Sequence, residues 1–265
     1  TECLLEIIRE ILRRSKEYTS NIRGVGIGIA GLINKKTGSI HWPEKIGHYY
    51  TYASVDIPLL NLIEKEFDLP ALVENDATCA CFGEYWLNLK GQFKNIVYMF
   101  SGVGCGIIIN GDIYTGQHGY VGEVSIYNYK EEDLLNCTLA QGCFLKRWEV
   151  DLGIIDDVRS MLAKDKTLAE KFFRLTSSNP DNVDLKSVFI ANRAGDPVAV
   201  LALDRAAKRL GIRIAYIVNL LNPEVVVIGG GLEEAGEEFL NKVSLTVKDW
   251  AFRETTEGLE IINSQ

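Results

Sequence analysis

The sequence predicts an α/β fold, because strand-like apolar runs alternate with helical patterns along the chain. Three segments carry that prediction. Val225-Val226-Val227-Ile228 passes straight into Gly229-Gly230-Gly231, as a buried strand ending in a turn does. An apolar run at 95–100 is followed by the glycine-spaced Ser101-Gly102-Val103-Gly104-Cys105-Gly106. Between these two strands, residues 196–221 keep helical spacing until Asn222-Pro223 ends them.

Taken in order, Leu4, Leu5, Ile8, Ile11 and Leu12 recur at helical spacing among charged residues and predict an opening amphipathic helix. Residues 24–31 alternate glycine with β-branched side chains, which suits a buried strand closely approached by a neighbour or ligand. Asn34-Lys35-Lys36-Thr37-Gly38 predicts a polar turn between two strands. A second amphipathic helix, carrying Leu59, Leu60, Leu62, Ile63 and Phe67, is stopped by Pro70. Ala71-Leu72-Val73 then reads as a short buried strand running through Glu74-Asn75-Asp76 into a small-residue helix at 77–86. After a strand at 107–109, Asn110-Gly111 is a two-residue hairpin signal. Helices are expected at 144–162, 167–175 and 233–247, with 177–182 an exposed loop.

Composition narrows the function. With 28 basic and 36 acidic side chains the formal net charge is −8, so nonspecific attraction to nucleic acid is disfavoured over these residues. No apolar run approaches the roughly 18 residues of a membrane helix, and the expected location is cytoplasmic. Six cysteines, spaced irregularly, suit reduced thiols better than a secreted disulfide framework.

The three glycine clusters each follow or line a strand, where backbone amides can approach phosphate or where a tight turn needs glycine. Asp76 is a candidate general base, since a carboxylate at a strand end can take a proton from a substrate hydroxyl that Asn75 orients. Helix capping by Asn75 or Asp76 is an equally good reading of the same spacing. Glu123, after Gly119-Tyr120-Val121-Gly122, is a further loop carboxylate.

Glu74-Asn75-Asp76-Ala77, the stretches 102–111 and 114–123, and Asn222-Pro223-Glu224 leading into Gly229-Gly230-Gly231-Leu232 resemble the ROK family of repressors, open reading frames and sugar kinases. The resemblance implies an actin-like (ribonuclease H-like) two-domain ATPase fold, incomplete at both ends. Residues 1–95 would form a smaller α/β domain lacking its first strands, and 96–265 a larger one. Asp76 matches the family's catalytic base. Asn75, Asp76, Glu123 and Gly31 match sugar contacts, with the loop near Trp42-Pro43 beside them. Gly102, Gly104, Gly229, Gly230 and Gly231 match ATP-binding loops.

Four departures shape what the resemblance implies. No Asp-x-Gly-Gly-Thr loop precedes the opening helix. The second phosphate loop reads Gly102-Val103-Gly104 without a hydroxyl, and Ile126 stands at a histidine position. The zinc segment survives as Gly142-Cys143, with Cys137 out of register, so no metal is expected and Phe144, Leu145 and Trp148 are expected to be core. The expectation is therefore the sugar-sensing part of a xylose-repressor-like regulator that needs no cofactor. Its partners would be a monosaccharide (xylose, glucose or a derivative), operator DNA through a helix-turn-helix outside this chain, and a second copy in a homodimer. The alternative is a sugar kinase using ATP and Mg with Asp76 as base.

Overall fold

The computed structural model describes residues 2–15, 21–46, 49–101, 104–124 and 152–265, with the side chains of 42–55 excepted. Gly102, Val103, Ile126, Asn136 to Cys143, Phe144, Leu145 and Trp148 lie outside the described residues, as does the expected helical stretch before residue 152. Among the described residues there are three sheets, and no helix is long and apolar enough to cross a membrane.

The first sheet pairs β1 (Val25–Ile29) in parallel with β5 (Ala71–Asn75), setting Ile29 opposite Asn75. Beside it, β2 (Leu32–Asn34), β3 (Ser39–Ile46) and β4 (Tyr49–Ile57) form an antiparallel sheet with an irregularity between Pro43 and Lys45. The expected polar turn joins β2 to β3. Helices α1 (Glu2–Arg14) and α2 (Leu59–Phe67) close this region, burying Leu5, Ile8, Leu59 and Ile63 with Ile33, Ile40 and Val73. Ile11, expected on the buried stripe of α1, is 57% exposed. It lies at the margin of a stripe centred on Leu5 and Ile8, the buried residues of α1.

Two further expectations need correction here. Strand β1 is not buried throughout, since its residues alternate between half-buried and exposed. Leu72, placed in a buried strand, is 69% exposed, because alternate residues of β5 point away from the core.

The five-stranded sheet runs β10 (Glu260–Asn263), β9 (Val225–Gly229), β6 (Ile96–Phe100), β7 (Gly104–Ile109), β8 (Asp112–Ile113). Its first three strands are parallel and the rest antiparallel. Both faces are covered. Val97, Met99, Val226 and Ile228 face a core built with α4 (Ile154–Lys164), α5 (Lys166–Thr176), α6 (Leu185–Arg193), α7 (Pro197–Leu221) and α8 (Glu237–Trp250). Ile96, Tyr98, Val225 and Val227 face the opposite way, onto Cys81 of α3 (Asp76–Gly83) and onto Leu89, which caps the π-helical turn Glu84–Asn88 that extends α3. Period-two alternation on a central strand thus serves two cores at once.

Gly104, Cys105 and Gly106, expected in a turn, belong to β7, where they pair with Phe100, Met99 and Tyr98. The glycine at 106 is required by packing: a Cβ there would lie 2.3 Å from the Cys81 Cβ and 2.5 Å from the Ala77 carbonyl oxygen. Asn110 and Gly111 turn back at φ 56° and 89°, the primed geometry the dipeptide predicts. The helix expected from residue 233 starts at Glu237 instead, because Gly236 adopts φ 90° and ends a short 3-10 turn, Leu232–Ala235. Strands β4 and β10 and helix α6 have no counterpart among the sequence expectations.

Candidate functional site

Strand β5 passes into α3 without a connecting loop, and Asn75 occupies the junction. Its extended backbone (φ −64°, ψ 142°) makes it the cap of α3, with Oδ1 accepting the Thr78 N–H at 3.1 Å. Of the two capping candidates, Asn75 therefore supplies the cap. The Asn75 Nδ2 donates to the Gly31 carbonyl oxygen at 3.3 Å, drawing the β1–β2 corner to the helix start. Gly31 holds that corner at φ 124°. Asp76 is the first helical residue, and its Oδ1 accepts the Ala77 N–H at 2.8 Å, where helix amides favour a negative charge.

Glu123 comes near enough to Asp76 for their charges to interact. The stretch 114–124 turns through Gly116, Gly119 and Gly122 at φ 64°, 88° and 100°. Its end is fixed to β7: Cys105 N–H donates to the Gly122 carbonyl at 2.8 Å, and Glu123 bridges to Gly104. A Cβ on Gly122 would lie 1.8 Å from the Cys105 carbonyl oxygen, and one on Gly119 2.5 Å from Lys35 Cγ. The loop thus spans from β7 to the β2–β3 turn. Glu123 is open to solvent on one side, yet partial desolvation and then the charge of Asp76 push its carboxyl above the ordinary range.

Sequence reasoning did not single out Lys35, whose ammonium pairs with the Glu74 carboxylate. Glu74 Oε1 also accepts the Asn75 N–H at 2.8 Å. Desolvation lowers the Lys35 amine, and Cys79, one turn beyond Asp76, is raised by the same cause. Asn75, Asp76, Glu123 and the Gly31 carbonyl were nominated from the sequence, whereas Lys35 was not. Together they offer acceptors for hydroxyl protons and the second N–H of the Asn75 amide.

The second glycine-lined strand end is built differently. Gly229 lies beneath Tyr98, whose hydroxyl oxygen would be 1.9 Å from a Cβ at 229. Ser101 donates its N–H to the Gly229 carbonyl at 3.0 Å and its hydroxyl to the Gly230 carbonyl at 2.6 Å. The Gly231 N–H donates to Glu233 Oε2 at 2.8 Å. An amide engaged by a carboxylate does not fit a nucleotide phosphate at this point. Behind the loop, the Tyr98 hydroxyl donates to Ser264 Oγ at 3.0 Å, which in turn donates to the buried Glu84 carboxylate at 2.9 Å. Among the described residues no group of three or more His, Cys, Asp or Glu side chains is arranged to hold a metal.

The chain is 25% identical over 253 residues to a xylose repressor from Caldicellulosiruptor bescii, covering 94% of this chain and 60% of the repressor. It is 32% identical over 252 residues to a glucokinase from Halalkalibacterium halodurans, covering 91% of this chain and 71% of that protein. Among solved structures it resembles the ROK family glucokinase of Streptomyces griseus in complex with glucose and AMPPNP, with TM-score 0.78 and 24% identity over 100% of this chain and 83% of that one. A ROK family transcriptional regulator homologous to the E. coli MLC protein gives 0.70 at 20% identity, over 99% of this chain and 64% of the regulator. The fold is the actin-like ATPase fold of the ROK sugar kinases. The ROK family model matches residues 1–265, and its relatives include both repressors and kinases. On that match and on the 32% identity, the chain belongs to the ROK family.

Proposed function

We propose that this chain is the sugar-sensing part of a ROK transcriptional repressor, with a monosaccharide bound where Asn75, Asp76 and Glu123 meet Gly31. The observation that carries the reading is the Asn75 side chain, which caps α3 and grips the Gly31 carbonyl while leaving one N–H for a ligand. Sugar hydroxyls donate to Asp76 and Glu123, and the spare Asn75 N–H donates to a sugar oxygen. None of these contacts needs a nucleotide. Ligand binding at the meeting point of two sheets biases their relative angle, and about 1–3 kcal/mol of differential affinity is enough for allosteric control. Operator DNA is contacted by a helix-turn-helix outside these residues, in a homodimer.

A thermal-shift panel with xylose, glucose and their derivatives tests this reading. At least one sugar raises the melting temperature of the wild type, and Asp76→Asn with Glu123→Gln abolishes the rise. No shift with any sugar sinks it. The second reading, an ATP-dependent sugar kinase with Asp76 as base, is supported by the 32% identity to a glucokinase and by the retained carboxylate. ATP consumption with aldoses that vanishes in Asp76→Asn would decide for it.

A further inference from the structure

On the sensor reading, which the following rests on, the second strand end has a role of its own. Gly230 and Gly231 adopt φ 71° and 97°, turning backbone groups toward the carboxyl end of β9, a position where open α/β sheets collect ligands. Gly231 faces open space, since a Cβ there would meet nothing within 4 Å. The amide is nonetheless engaged, because Glu233 Oε2 accepts it at 2.8 Å. Ser101 holds the carbonyls of Gly229 and Gly230 from behind, so the loop cannot turn its Gly231 amide elsewhere without breaking those bonds.

The surrounding charge reinforces the occupancy. Glu233, Glu234, Glu237 and Glu238 crowd the stretch that follows the glycines, and no Lys or Arg falls between 229 and 241. Lys242 comes next, and its ammonium pairs with Asp204. A ligand bearing phosphate would have to displace the Glu233 carboxylate from the Gly231 amide, on a stretch of chain that is itself acidic.

We infer that Glu233 is an internal anion that occupies the amide of this strand end and excludes phosphate-bearing ligands, nucleoside triphosphates above all, from it. It is a specificity-determining residue: the space beside Gly231 is open, and its chemistry has been filled from within. The sugar contacts are left free to work alone.

The test titrates a trinitrophenyl-ATP probe, displaced by ATP, into the whole chain as wild type, Glu233→Ala, Glu233→Gln and Glu238→Ala. Glu238→Ala removes the same unit of charge from an exposed position without touching Gly231. Glu233→Ala is expected to bind at least ~10-fold more tightly than wild type, equivalent to about 1.4 kcal/mol. Glu233→Gln should gain less, since its amide oxygen can still accept from Gly231, and it reports on charge alone if the alanine variant folds poorly. Wild-type binding as tight as that of Glu233→Ala overturns the inference, as does an equal gain in Glu238→Ala or no gain in either Glu233 variant. Sugar-induced thermal shifts on the same samples read the sensor proposal separately, so failure of one is not mistaken for failure of the other.

Discussion

Asn75 and Gly31 are joined by a hydrogen bond of 3.3 Å that links the start of α3 to the corner between β1 and β2. The same side chain satisfies the Thr78 N–H. Asn75→Ala removes both bonds and is expected to lower stability by about 1 kcal/mol through the lost cap alone. Asn75→Asp keeps the cap and loses the donor, so it should be the more stable variant while binding sugar no better. Urea denaturation of both, with and without ligand, separates the two roles.

Gly106 admits no side chain. Gly106→Ala forces the new methyl group against Cys81 and the Ala77 carbonyl, which should cost roughly 1–3 kcal/mol by overpacking. Gly104→Ala, whose Cβ would meet only Ala77 Cβ at 3.7 Å, serves as the control on the same strand. Equal unfolding midpoints for the two variants would contradict the packing argument.

The raised Glu123 carboxyl sets a pH dependence of definite sign. Its pKa is higher folded than unfolded, chiefly from desolvation and then from Asp76, so the folded state binds the proton more readily. Glu123 therefore opposes stability at neutral pH, and the opposition fades as pH falls through the raised value toward the ordinary carboxylate range. Glu123→Gln should raise the melting temperature of the ligand-free protein at pH 7, with the difference narrowing toward pH 4. A difference that widens on acidification would reverse the assignment.

Cys81 and Cys105 are buried, and desolvation pushes both thiols up to about 12. Neither supplies thiolate at ordinary pH. Iodoacetamide at pH 8 should label exposed Cys3 and spare these two until denaturant is added, as peptide mapping would read. Labelling of Cys105 in the native protein would mean that the β7 end opens readily.

Ser264 relays a hydrogen bond from Tyr98 to the buried Glu84 carboxylate. Ser264→Ala strips that carboxylate of a donor and should cost about 1–3 kcal/mol. Tyr98→Phe removes only the outer hydroxyl and should cost less. Chemical denaturation of the pair checks the order.

The junction at Asn75 and Asp76 was legible in the sequence because everything that defines it is local: an apolar run, a polar cap and a small-residue helix in direct succession. The Asn110-Gly111 hairpin was legible for the same reason. Gly106 could be read as a glycine with a purpose, but the purpose depends on Cys81 and Ala77, which reach it only through tertiary packing. Leu72 and Ile11 misled because composition does not say which face of an element has a neighbour. Lys35 looked like an ordinary turn residue, since its partner Glu74 lies on a strand of another sheet. Glu233 read as the first residue of a helix, and the positive φ of Gly236 that frees it from that helix left no unambiguous mark.

Helix α3 begins on a strand of the two-stranded sheet and presses its length against β6 and β7 of the five-stranded one. One rod is thereby fastened to two sheets, and it starts at the peptide between Asn75 and Asp76. On the sensor proposal, a ligand held at that peptide would bear on both sheets at once.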